Sequence, residues 1–120
     1  MNLVYFKLSE FDCTCGRKDC DAQPIDMETA LKLDGLRREL GLPITITSAC
    51  RCLVRNRALK SKDTSQHLLG RAVDIHCPDG IYMRRLIVLA LKHGFTGIGV
   101  KDGMVHLDTR TSEPVFFGYP

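Results

Sequence analysis

The chain has 120 residues, enough for a single domain with a hydrophobic core that needs no disulfide or metal to fold. With 44% hydrophobic and 26% charged residues, its composition is that of a globular protein and excludes a disordered one. Its net charge is only +3 and its basic residues are spread out, so a nucleic-acid partner is not expected.

The N terminus lacks the basic, apolar and small-residue regions of a signal peptide, and no apolar stretch reaches membrane-spanning length. We therefore expect a soluble, cytosolic product without a membrane span. Action outside the cell would then require another export route, or lysis of the cell that made the protein.

The first half of the chain predicts an arm, a helix and a strand. Residues 1–11 show no helical spacing and predict an extended arm or short strand ahead of three cysteines. In residues 24–43, apolar side chains recur every three or four positions, so a helix is predicted, with Asp26 as its N-cap and Gly41 at its end. The β-branched run at 43–49 predicts a strand that ends just before Arg51.

The second half predicts a short helix, a strand, a long helix and a hairpin. These elements correspond to residues 54–59, 71–76, 80–94 and 95–110, with the hairpin turn at 101–103. The order of elements indicates an α+β fold, with helices packed on a small antiparallel or mixed sheet. We expect a single domain over 1–120 with a cysteine-containing arm over 1–23.

Two histidines and an aspartate form the first candidate site. His106 alternates with apolar residues on the predicted hairpin, so it shares one face of its strand with Asp108. His67 and Asp74 lie seven residues apart in SQHLLGRAVDIH. Taken alone, that pair is as consistent with surface polar groups or an ion pair as with a metal site. Together with His106, it makes a set of ligands that suits zinc and leaves a fourth position open for water.

Two segments, SQHLLGRAVDI and GFTGIGVKDGMVHLDTR, resemble the zinc D-alanyl-D-alanine carboxypeptidase-like peptidoglycan peptidases, whose fold is shared by the signalling domain of hedgehog proteins. Small phage and prophage members of this family also begin with a segment similar to FKLSEFDCTCG, so the resemblance covers nearly the whole chain. The residues that match the family's SxHxxGxAxD and HxD motifs are Ser65, His67, Gly70, Ala72, Asp74, His106 and Asp108.

The resemblance implies an enzyme that cuts the peptide stems of bacterial peptidoglycan, either as a D,D-carboxypeptidase or as an endopeptidase of the endolysin type. It implies one catalytic zinc held by His67, Asp74 and His106, with Arg51 and Ser65 contacting the substrate. On this basis we expect a monomer whose partners are peptidoglycan stem peptides. A phage or prophage lysis enzyme would act on the cell wall after release or export.

The general base is where the chain departs from the family. Relatives often carry an acid three residues before the last histidine, where this chain has Gly103. Asp108 is the first candidate for the base because it shares a strand face with His106, and Asp102 in the hairpin turn is the second. The missing acid favours an alternative, a zinc-containing binding or structural module of the same fold without catalysis.

Six cysteines are many for a chain expected in the cytosol, where disulfides are disfavoured. Cys13, Cys15 and Cys20, with Cys52 or Cys50 as a fourth ligand, can form a structural zinc site that ties the arm to the loop carrying Arg51. Reduced thiols, disulfides formed after lysis and a cysteine-based redox or metal-storage domain are the alternatives.

Overall fold

A five-stranded sheet forms the framework of the molecule, which is described by a computed structural model over residues 2–119. In chain order the elements are a 3-10 turn Leu8–Phe11, α1 Met27–Leu40, β1 Ile46–Ser48, α2 Leu53–Ala58, a 3-10 turn Gln66–Leu69, β2 Ala72–His76, α3 Gly80–Lys92, β3 Gly97–Lys101, β4 Met104–Asp108 and β5 Val115–Gly118.

The strands are ordered β1-β2-β4-β3-β5 across the sheet. Neighbours run antiparallel except β3 and β5, which are parallel. The predicted α+β class with helices and a mixed sheet is therefore confirmed. No helix in the described part of the chain is long and apolar enough to cross a membrane.

The hydrophobic core lies on one face of the sheet. Alternate residues of the central strands are fully or almost fully buried there, together with the apolar stripes of α1 and α3, which contact each other. These side chains include Val73, Ile75, Ile98, Val105, Leu107, Leu33, Leu36 and Leu86. Since one face is filled by helices, the other is left for polar side chains.

Most predicted boundaries agree with the structure because they depend on local chemistry. The Asp26 side chain accepts a hydrogen bond from the Thr29 amide at the start of α1, and Gly41 ends this helix with a positive φ of 68°. Asp79 caps α3 in the same way. The predicted hairpin is β3–β4.

Each end of the chain contains an element that the sequence analysis did not predict. The segment before the cysteines forms a 3-10 turn and no strand. In addition, the short strand β5 was not predicted. It pairs in parallel with β3, so its partner lies about 18 residues away, and Pro114 directly before it interrupts the local pattern.

Gly70 links the start of α1 to the segment before β2. Its carbonyl oxygen accepts a hydrogen bond from the Asp26 amide at 2.8 Å, and its φ is +70°. A Cβ at this position would overlap the carbonyl oxygen of Pro24, whereas a Cβ at Gly41, whose φ is nearly the same, would meet nothing within 4 Å.

We expect Gly70→Ala to lower the free energy of unfolding by about 3 kcal/mol or more, because the backbone strain and the overlap add. Gly41→Ala is the matched control and should cost only the strain, about 1 kcal/mol. Urea denaturation of both variants measures the difference. Equal losses would show that the contact between Gly70 and Pro24 is unimportant.

Candidate metal centre

A row of residues crosses the sheet on the face opposite the core. The strand register aligns Ser48 with Asp74, Asp74 with His106, His106 with Gly99, and Gly99 with Phe117. A Cβ on Gly99 would overlap the Phe117 ring, so the glycine lets this ring lie over the strand. Pairing of β2 with β4 thus places Asp74 directly beside His106, two residues that are 32 apart in sequence.

His67 reaches the same place from the 3-10 turn before β2. The Ser65 hydroxyl accepts a hydrogen bond from the His67 amide at 3.2 Å, and Gly70 ends the turn. The His67 side chain is fully buried, and its Nδ1 lies 2.6 Å from the Ala49 carbonyl oxygen. Ser65 therefore fixes the His67 turn, and its predicted contact with substrate stays a prediction.

One oxygen of Asp74 is shared by both imidazoles. Asp74 Oδ1 lies 3.2 Å from His67 Nε2 and 3.1 Å from His106 Nδ1. One ligand atom of each of these three residues lies within 4.8 Å of the others. In a tetrahedral zinc site with bonds of about 2.0–2.1 Å, neighbouring ligand atoms are about 3.3 Å apart. The spacing of the three side chains therefore fits zinc.

The hydrogen bonds on the outer side of each ring also fit a cation at the centre. His67 Nδ1 donates to the Ala49 carbonyl oxygen, and His106 Nε2 donates to Asp108 Oδ2 at 2.7 Å. Each neutral ring then directs the lone pair of its inner nitrogen at Asp74. Lone pairs from three groups converge on one point, an arrangement that a metal ion or a proton stabilises.

The pKa shifts agree with a site that attracts positive charge. Burial disfavours the charged form of both Asp74 and His106, but the hydrogen bonds between them, with those of His67 and Asp108, outweigh this effect. The pKa of Asp74 is consequently held below its ordinary value and the pKa of His106 is raised above it.

Asp108 lies against the outer side of His106 and has no free oxygen. It is completely buried, and besides His106 it accepts hydrogen bonds from Arg110 Nε at 2.9 Å, Arg110 Nη2 at 2.6 Å and the Arg110 amide at 3.1 Å. Burial opposes its ionisation, but Arg110 and His106 hold its pKa below the ordinary range. The predicted general base is thus engaged in orienting His106, which argues against its taking a proton from water.

Asp102, the second candidate for the base, is not brought to the site. It is exposed in the turn between β3 and β4, where the Gly103 carbonyl oxygen accepts from the Cys77 amide. Three residues lie between it and His106 along the chain, and it is not part of the group of ligand atoms formed by His67, Asp74 and His106. Its role as the general base stays a prediction.

Arg51 is buried beside the triad, with only 5% of its surface exposed. Its Nη2 donates to Asp74 Oδ2 at 3.1 Å, and its Nε donates to Ser48 Oγ at 3.0 Å. Nη1 donates to Asn56 and Ser61. These hydrogen bonds hold the guanidinium in one orientation at the edge of the site, although Arg51 lies in a loop.

An aromatic pair that the sequence analysis missed covers the site. Tyr119 Oη lies 3.2 Å from Asp74 Oδ2, 3.3 Å from His67 Nε2 and 3.4 Å from Arg51 Nη2. The rings of Phe117 and Tyr119 are centred 5.5 and 5.0 Å from that of His106. The only signal was the aromatic run VFFGY near the C terminus, and its strand pairing with β3 is not local.

Four of the six cysteines form a second cluster, separate from the histidine site. The sulfurs of Cys13, Cys15, Cys20 and Cys52 all lie within 4.8 Å of one another, and each of these thiols is free. Cys50 is not part of the group. It packs in the hydrophobic core, where burial raises its pKa to about 11.

Comparison with known proteins gives one match to a family. The model of the family described as Peptidase M15 matches residues 4–108, which include His67, Asp74 and His106. No curated protein sequence matches the chain. The strand β5 and Tyr119 follow the matched residues, so the cover over the site is a feature of this chain outside the family match.

Proposed function

Because the chain belongs to the peptidase M15 family of zinc-dependent peptidases, we propose that it hydrolyses the peptide stems of bacterial peptidoglycan, as a D,D-carboxypeptidase or an endopeptidase. The convergence of His67, Asp74 and His106 on one point, within the matched residues, is the observation that carries this proposal. The N-terminal resemblance to phage and prophage proteins supports a role as a lysis enzyme that reaches the wall after release or export.

In this proposal His67, Asp74 and His106 hold the ion. Zinc bound by two imidazoles and a carboxylate would act as a Lewis acid toward the scissile carbonyl and toward water. The chain itself prepares the ligands. The Ala49 carbonyl oxygen and Asp108 fix the orientation of the two imidazole rings by accepting their outer N–H groups.

Arg51 and Tyr119 are proposed to handle the substrate. Burial and the charge of Asp74 raise the pKa of Tyr119, so its hydroxyl remains protonated and can donate a hydrogen bond. A stem peptide that enters the site would take the place of this hydroxyl beside Arg51 Nη2, and the guanidinium would then bind a carboxylate or carbonyl oxygen of the peptide. Tyr119 would donate to the oxyanion that develops at the scissile carbonyl.

Arg51→Lys tests the role of the guanidinium. We expect kcat/KM on stem peptides to fall roughly 100-fold, because the charge is kept but the paired donors are lost. Zinc content should not change, since Arg51 is not a ligand. Arg57→Lys is the matched control, because Arg57 forms an exposed ion pair with Asp63 on the surface. Unchanged kcat/KM for Arg51→Lys would limit Arg51 to a structural role.

Digestion of purified peptidoglycan tests the function itself. The zinc-loaded protein should release new peptide fragments, which mass spectrometry would identify, and chelator should stop their release. Loss of terminal D-alanine alone would indicate a carboxypeptidase, whereas shortened or uncrosslinked stems would indicate an endopeptidase.

The placement of Asp108 and Asp102 favours one second candidate, a zinc-containing binding module without catalysis. The oxygens of Asp108 accept hydrogen bonds from His106 and Arg110, Asp102 is exposed in a turn, and Gly103 stands where relatives often carry an acid. Such a module would retain zinc and bind peptidoglycan but release no fragments. The digestion experiment therefore separates the two candidates.

A further inference from the structure

Three cysteines of the N-terminal arm and Cys52 form a cluster of four sulfurs that is separate from the histidine site. Cys13 Sγ and Cys52 Sγ lie 3.8 Å apart, and all four sulfurs fall within 4.8 Å of one another. In a tetrahedral site with zinc–sulfur bonds of about 2.3 Å, neighbouring sulfurs are about 3.8 Å apart. Three of the ligands come from the arm and one from the start of α2, so the cluster joins two distant parts of the chain.

Backbone amides donate hydrogen bonds to three of the four sulfurs. Cys13 Sγ accepts from the Cys52 amide, Cys15 Sγ from the Arg17 amide and Cys52 Sγ from the Arg55 amide, each at 3.4 Å. Donors directed at sulfur stabilise its negative form more than its neutral form. Four thiolates this close would repel one another unless a cation lay between them.

The path of the arm also points to a ligand. Residues 12–25 form neither helix nor strand, yet they are held between the Phe11 carbonyl oxygen, which accepts from the Cys50 amide, and the start of α1. Gly16 turns the chain between Cys15 and Cys20 with a φ of +71°. Loops of this length without helix or strand are uncommon in small domains, and they are usually either functional or disordered.

We propose that Cys13, Cys15, Cys20 and Cys52 bind a structural zinc ion, distinct from the ion at the histidine site. A closed set of four thiolates is the typical ligand set of structural zinc. Cys52 directly follows Arg51, so this ion fixes the arm to the loop that presents the guanidinium to the peptidase site. The proposal stands on residues outside the histidine site and does not depend on catalysis.

The test uses the full chain in a His106→Ala background, so that the histidine site does not contribute metal. Mass spectrometry of metal content should find one zinc per chain, and exchange for cobalt should give the intense near-ultraviolet charge-transfer absorption of cobalt–thiolate bonds. Adding Cys20→Ser should remove both signals. Cys77→Ala is the matched control and should keep both, because Cys77 is buried outside the cluster.

A second measurement on the wild-type chain covers the case in which Cys20→Ser fails to fold. Alkylation followed by mass spectrometry should leave all four cluster cysteines unmodified, and chelator should make Cys13, Cys15 and Cys20 reactive. The proposal is overturned by reactive thiols in zinc-loaded protein, by bound iron in place of zinc, or by disulfides among these cysteines. A chain that is inactive on peptidoglycan but passes both measurements would contradict only the proposed peptidase.

Discussion

Replacing His106 by alanine is expected to eliminate peptidase activity and zinc binding at the histidine site. The side chain supplies one of three proposed ligand atoms, and without it only Asp74 and His67 remain to hold the ion. The loss of activity should exceed the roughly 10- to 100-fold that follows removal of a group which only orients a ligand. Activity on peptidoglycan and metal content per chain measure the two effects.

His76→Ala is the matched control. His76 lies on the same strand as Asp74, two residues away, but its side chain is exposed at the end of β2. This variant should keep the zinc and the activity of the wild-type chain. A His106→Ala protein that retained its activity would contradict the assignment of the site, whatever its metal content.

Asp108→Asn is expected to weaken two properties at once, the function of the histidine site and the stability of the chain. Asparagine keeps the size of the side chain but removes the charge that orients His106 and pairs with Arg110. We expect zinc affinity and activity to fall together by roughly 10- to 100-fold. The free energy of unfolding of the metal-free chain should fall by about 3 kcal/mol, because Arg110 loses its paired partner.

The pH dependence of this stability loss has a definite sign. The pKa of Asp108 is lower in the folded chain than in the unfolded one, so its stabilising contribution is complete above the unfolded pKa of about 4. As the pH falls below that value the contribution decreases, and the wild-type chain should approach the variant. Urea denaturation of metal-free protein between neutral and acidic pH measures this convergence.

A comparison of Asp102→Asn with Asp108→Asn shows whether either aspartate acts as the general base or whether Asp108 only orients His106. Asp102 is exposed in its turn, so its replacement should change stability by less than about 0.5 kcal/mol and leave activity intact. If Asp108 were the general base after all, Asp108→Asn would lower kcat while zinc affinity stayed the same. If Asp102 were the base, its variant would lose activity without losing stability.

Local chemistry made much of the fold predictable from the sequence. Asp26 and Gly41 mark the ends of α1 because capping depends on side chains within one turn of the helix. The alternation in β4 correctly places Val105 and Leu107 in the core and His106 on the opposite face, because strand periodicity needs no knowledge of the partner strand. The motif spacing brought His67, Asp74 and His106 together as a hypothesis, and the strand register makes them neighbours.

The partners of each side chain could not be predicted in this way. Alternation puts Asp108 on the same face as His106, but only the folded structure shows that Arg110 occupies its oxygens, because that pair depends on how the chain turns after β4. The choice between Cys50 and Cys52 depends on which of them points away from the core.

The sequence by itself determined the helices, the central strands and the candidate ligands, since these follow from residue type and spacing over a few positions. Tertiary structure decided what surrounds the ligands. The pairing of β5 with β3 brings Tyr119 within hydrogen-bond distance of His67 and Asp74, which are more than 40 residues away along the chain. Contacts between residues so far apart in sequence arise from the packing of the whole sheet, so they cannot be predicted from short-range periodicity.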